Sequence, residues 1–134
     1  MSMRQLVGSL FWGSVFSVCA ASAAQGQGQA PAMTDSVRQA RGKRLYEGKA
    51  LCFSCHGKEG EGVLGPTTRL SGRTFSHTKA EISQLVELIK TGIDAKRSAS
   101  SHVMPPRGGS RITDAEVELV AYYVKELNSR KLPR

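Results

Sequence analysis

Cys52-Phe53-Ser54-Cys55-His56 sets two thiols three positions apart, with an imidazole directly after the second. On one turn of helix that spacing lets both sulfurs form thioether bonds to the two vinyl groups of a haem while His56 Nε2 reaches the iron. A haem iron held by histidine on one side has a sixth position, and its occupant decides between electron transfer and ligand chemistry. Met104 is the candidate. It lies 48 positions beyond His56, enough chain for a loop and a helix to pass around the porphyrin. Pro105 biases Met104 toward extended backbone, and Pro105-Pro106 stiffens the loop that must hold the thioether sulfur. His77 and His102 compete for the same position, although both read more simply as exposed loop histidines. An iron-bound histidine usually donates its other ring N–H to a carbonyl or carboxylate. A backbone carbonyl in Gly65-Pro66 fits that role, and so does plain turn punctuation; spacing alone does not choose between them.

Other chemistries use the same residue types. Zinc on Cys52, Cys55 and His56 needs a fourth ligand, commonly from a second separated pair, and only His77 or His102 is left to supply it. A thioredoxin-like dithiol wants βαβ flanks, and no alternating strand pattern of useful length is present. A gas sensor or haem enzyme needs an open sixth site; the chain carries no second haem motif and no convincing distal acid/base set.

Three or four helical segments must position these groups. The first starts near Thr34 or Ser36, with Asp35 favourable in the cap region, and runs to about Glu47 with Val37, Ala40, Leu45 and Tyr46 as its less polar positions. Gly42 inside it costs roughly 1 kcal/mol relative to alanine, which points to a close helix crossing. Residues 57 to 76, with Gly57, Gly60, Gly62, Gly65 and Gly72, form a loop expected to wrap one edge of the haem. Thr78-Lys79-Ala80-Glu81 has the capping-box pattern and opens a helix carrying Ile82, Leu85, Val86, Ile89 and Ile93, ended by Gly92. A second capping box, Thr113 to Glu116, opens the last helix, whose apolar face is Val117, Val120, Ala121, Val124 and Leu127. Core packing accounts for both stripes.

The N-terminal stretch has a different composition. Arg4 is followed by an uncharged apolar run from Leu6 to Ala24 that ends in small residues, as in an export signal with an A-x-A-type cleavage site. A membrane span would want roughly 20 apolar residues and anchors; lipid attachment at Cys19 would want a smaller residue than Val18 before it. The expected organisation is therefore an export signal over 1–24, a flexible Gln/Gly/Ala-rich leader over 25–34 and one domain over 35–134. That leaves no membrane span after signal removal and a periplasmic location. Cys19 leaves with the signal, so no cysteine pair remains for a structural disulfide. Losing Arg4 takes the formal charge from +8 to +7. The excess favours an acidic protein partner. Lys and Arg are spread without a dense block, which argues against nucleic acid.

The order of GKRLY, CFSCH, a glycine loop ending in Gly65-Pro66, HVMPP and a terminal helix bearing Ala121-Tyr122 resembles the class I c-type cytochromes, small monohaem carriers with His/Met ligation. The resemblance covers about residues 38 to 128. It implies an all-α cytochrome c fold, three to five helices wrapped around one covalently bound haem c. It further implies that the terminal helices cross near Gly42 and Tyr46 on one side and Tyr122 on the other, that the Pro66 carbonyl accepts from His56, and that Met104 is the axial sulfur. Tyr123 matches no role in that family. The expected function is that of a periplasmic one-electron carrier, not an enzyme, working between redox proteins with acidic docking surfaces. Lys49, Lys58, Arg69, Arg97 and Arg107 are candidates for a positive rim around the haem edge. The chain is expected to be a monomer or the electron-accepting subunit of a periplasmic dehydrogenase; a ligand-binding haem sensor or enzyme is the more distant alternative.

Overall fold

Thr34 starts the first helix: its Oγ1 accepts from Val37 N at 3.4 Å, with Asp35 in the first turn. This answers one of the amides that a helix start leaves unpaired. The computed structural model describes residues 32–131; the expected signal over 1–24 and the leader up to residue 31 lie outside them. Four α-helices follow in order: α1 (Asp35–Glu47), α2 (Phe53–His56), α3 (Ile82–Thr91) and α4 (Asp114–Ser129). Single 3-10 turns form at Pro66–Thr68 and Pro106–Gly109. No strand forms among the described residues, and the one β-type pairing is an isolated antiparallel bridge between Ile93 and Met104. The all-α expectation holds.

α1 is a polar helix that buries only Gly42 and Tyr46. It packs on α4, whose Val117, Val120, Ala121, Tyr123, Val124 and Leu127 are buried. Leu85 and Ile89 of α3, with Ile112 and Ala50, complete the core. Fully burying a side chain of this size stabilises by about 1.5–3 kcal/mol. A β-carbon at Gly42 would run into the carbonyl of Leu119 and meet Tyr123 Cβ at 3.0 Å, so the glycine marks the crossing of the two helices. Gly42→Ala is therefore expected to destabilise, by on the order of 2 kcal/mol through overpacking, although helix propensity alone favours alanine by about 1 kcal/mol. Thermal unfolding decides the sign: a Tm at or above the parent's would mean that α1 and α4 can separate without cost.

Two expectations need correction. Tyr123, not Tyr122, stands at the crossing with Gly42 and Tyr46: the Tyr46 and Tyr123 rings meet edge to face at 5.2 Å, while Tyr122 meets α1 nearer its start, under the Arg38 guanidinium at 5.0 Å. The spacing explains it, because Tyr123 stands three residues after Val120 and four before Leu127, on the apolar side of α4. The Thr78 capping box does not form either. Helix α3 begins at Ile82, its N-cap Glu81 makes no side-chain cap, and Thr78 Oγ1 instead accepts from Ala80 N at 3.2 Å in a local turn. The box at Thr113 does form, with Glu116 N donating to Thr113 Oγ1 and Thr113 N donating to Glu116 Oε2 at 2.8 Å.

Candidate functional site

α2 is a single turn of helix, and Cys52 at its N-cap, Cys55 and His56 all line one cleft. The cleft continues over Leu70, Phe75, Leu85, Leu88, Ile89 and Val124, and Met104 lines it from the loop after α3. Cys52 and Cys55 are free thiols, both half-buried. Burial pushes the Cys52 thiol up to about 11, with Cys55 adding to the shift, which keeps it protonated.

Burial also lowers the pKa of His56, against an opposing hydrogen bond from Nδ1 to the Thr68 carbonyl at 2.6 Å. A neutral imidazole whose Nδ1 carries the proton leaves the Nε2 lone pair for a metal. Thr68 O is the acceptor, in place of the Pro66 carbonyl that the resemblance implied. Pro66 opens a 3-10 turn, so its carbonyl accepts from Arg69 N at 3.3 Å and from the Arg73 guanidinium. Pro66 does not line the cleft; Thr67 and Thr68 do. No sequence signal marks Thr68, because a main-chain acceptor has no side-chain signature.

Met104 is held by its backbone. Ile93 N donates to Met104 O at 2.7 Å and Met104 N to Ile93 O at 2.9 Å, so the extended conformation favoured by Pro105 is fixed against the end of α3. Gly92 has φ 72°, and a β-carbon there would run into the Met104 carbonyl and come within 2.8 Å of Pro106 N. Beyond Met104, Arg107 turns the chain with φ 55°. Its guanidinium donates to the Ile112 carbonyl at 2.8 Å and pairs with Asp114, which Lys90 also bonds at 2.8 Å. These two cations hold the Asp114 carboxyl at about 2.

Three of the five expected rim cations are already paired: Lys49 with Glu116, Arg97 with Asp94 and Arg107 with Asp114. Lys58 and Arg69 are exposed, with no carboxylate partner among the described residues. His77 and His102 both line the cleft and are exposed. Among the described residues no three His, Cys, Asp or Glu side chains converge on a point where they would hold one ion. No described helix is long and apolar enough to cross a membrane.

The donor set fits a haem. Two thiols free of each other, a neutral imidazole one residue on, a thioether on the same cleft and an apolar lining are what a covalently attached porphyrin requires. No curated protein and no solved structure matches the chain significantly. Residues 37–124 match the family model described as cytochrome c oxidase, cbb3-type, subunit III, a span that begins in α1, ends in α4 and encloses the whole cleft. The chain belongs to that family and is a c-type cytochrome, a domain that carries covalently bound haem c.

Proposed function

We propose that Cys52 and Cys55 carry the two thioether links, that His56 and Met104 bind the iron, and that the protein is a periplasmic one-electron carrier between redox proteins. The domain boundaries proposed are an export signal over 1–24, a leader over 25–34 and a monohaem domain over 35–134. The observation that supports this reading most is the meeting of the CxxCH turn and the pinned Met104 on one apolar cleft.

When bound, the haem supplies a single Fe(III)/Fe(II) couple, and no substrate bond is made or broken. The chain's part is to keep the ligands in place across both oxidation states. His56 is fixed through Thr68 O and Met104 through Ile93, so little rearrangement accompanies electron gain or loss. Leu85 and Ile89 are buried in the core beneath the cleft. Their low-dielectric surroundings and a thioether ligand both disfavour the more charged oxidised centre and raise the potential.

Reduced and oxidised visible spectra of protein matured with a haem-attachment system, with carbon monoxide added to the reduced form, test the assignment. Low-spin spectra in both states with no response to carbon monoxide are expected. Ready carbon monoxide binding would move the protein to the ligand-binding class. The positive charge implies a partner with an acidic docking surface, approached through electrostatic steering. The bimolecular electron-transfer rate should therefore fall severalfold from low to physiological ionic strength, and a salt-independent rate would count against an acidic partner. Of the five rim candidates, Lys49, Arg97 and Arg107 are paired within the fold, so Lys58 and Arg69 are the two of that set expected to contribute most to the dependence.

A second reading has one observation in its favour: the matched family is described as an oxidase subunit. On it, the same haem domain would relay electrons inside a complex, a role also open to a dehydrogenase subunit. Co-purification with a larger enzyme from native material separates a subunit from a diffusing carrier.

A further inference from the structure

Three successive carbonyls directly after His56 each accept from a buried side-chain hydroxyl. Tyr46 Oη donates to Gly57 O at 2.7 Å, Tyr123 Oη to Lys58 O at 3.3 Å, and Ser71 Oγ to Glu59 O. The donors come from α1, from α4 and from the loop after the 3-10 turn. They are 0%, 1% and 1% exposed, respectively. The fourth carbonyl, Gly60 O, accepts from Leu70 N at 2.8 Å and Ser71 N at 3.0 Å.

Other hydroxyl-to-carbonyl bonds in the molecule are mostly local. Ser54 to Leu51, Thr91 to Glu87 and Ser129 to Glu126 return to a residue three or four positions back. The bonds after His56 instead span 11, 65 and 12 positions. Buried carbonyls need partners, but backbone amides of a regular turn would have sufficed. Here three separate elements converge on one short stretch of chain.

We infer that Tyr46, Ser71 and Tyr123 form a hydroxyl clamp that positions His56, setting the plane of its imidazole over the haem. The inference rests on His56 as the iron ligand proposed above. α2 has four residues, too short to hold its own orientation, and Gly57 with φ 80° turns the chain out of it at once. The direction of His56 is therefore set by what holds the residues on its far side. Gly62 N adds a bond to His56 O at 2.8 Å, and Thr68 O holds the ring at Nδ1. Thr68 lies three residues before Ser71, so the donor to Glu59 and the acceptor for His56 share one loop. The crossing of α1 and α4 at Gly42 thereby sets the site: the two tyrosines that meet there each place a hydroxyl on the segment following the ligand.

The test uses the oxidised holoprotein with Tyr46→Phe, Tyr123→Phe and Ser71→Ala, each of which removes a hydroxyl and keeps the packing. Tyr122→Phe is the control, since Tyr122 lies under Arg38. The order and spread of the paramagnetically shifted porphyrin methyl resonances follow the orientations of both axial ligands, the imidazole plane and the thioether lone pair, and the clamp bonds act on the histidine's side. The clamp variants are expected to shift that pattern, and Tyr122→Phe to overlay the parent. Clamp variants with a lowered Tm but the parent pattern would overturn the inference, since filling buried hydrogen bonds would then be the whole role of the hydroxyls. Should Tyr46→Phe fail to fold, Tyr123→Phe and Ser71→Ala decide. A parent protein that carries no covalently attached haem would remove the reading of His56 and the clamp together; a haem-bearing, low-spin parent with unmoved variants removes the clamp alone.

Discussion

A Cys52→Ser, Cys55→Ser double variant is expected to carry no haem through denaturing electrophoresis, whereas the parent chain stays stained. The thioether forms when a thiol adds across a vinyl group, and a serine hydroxyl does not make that bond under the same conditions. His56 and Met104 hold iron only while the fold holds them, so denaturant strips whatever the double variant binds. Each single variant keeps one anchor and should retain reduced stain. Stability should fall as well. The cleft opens onto Leu70, Phe75, Leu88 and Val124, apolar surface that a porphyrin covers, and a group that binds only the folded state stabilises it by mass action. A covalent link makes that contribution independent of free haem concentration. Full haem stain in the double variant would end the attachment assignment, and with it the role given to α2.

Much of this arrangement is legible in the sequence, and what is not has identifiable physical causes. Helix starts with a hydroxyl cap are readable at Thr34 and Thr113 because the bond is local. Thr78 carries the same pattern and fails: its hydroxyl is taken up by a turn at Ala80, whose φ is 62°, and nothing within four residues reveals the competition. Gly42 is legible as a crossing because glycine inside a helix costs stability unless something approaches closely. The partner across that crossing is harder to read, since Tyr122 and Tyr123 are adjacent and only their register against Val120 and Leu127 separates them.

The site follows the same division. Cys52, Cys55, His56 and Met104 are visible as residue types at a spacing, and the fold brings all four to one cleft. The acceptor for His56 is not visible, because two carbonyls of the same turn differ only in direction: Pro66 O points to Arg69 and Arg73, and Thr68 O to the imidazole. The positive rim is overcounted for a related reason. Charge is read from the sequence one residue at a time, whereas Lys49 and Glu116 pair across 67 positions.

Met104→Ala should lower the reduction potential, abolish the weak Fe–S absorption band and open the iron to carbon monoxide. Axial ligands set haem potentials over roughly 0.8 V, and replacing a thioether by water or nothing removes the ligand that favours the reduced state. The bridge to Ile93 makes this substitution informative. Both of its hydrogen bonds use the Met104 backbone, so alanine keeps the loop against α3 while only the sulfur is lost. Met104 is half-buried, so the packing cost should fall below the roughly 2–5 kcal/mol of a fully buried methionine, and the holoprotein should still fold. His102 is the complication, because it lines the same cleft two residues away. If its imidazole fills the vacated position, the potential still falls but carbon monoxide no longer binds readily. A Met104→Ala, His102→Ala double variant then restores carbon monoxide binding and shows that the occupant was His102. An unchanged potential together with an intact Fe–S band in Met104→Ala would remove Met104 from the iron and leave the sixth position without its assigned sulfur.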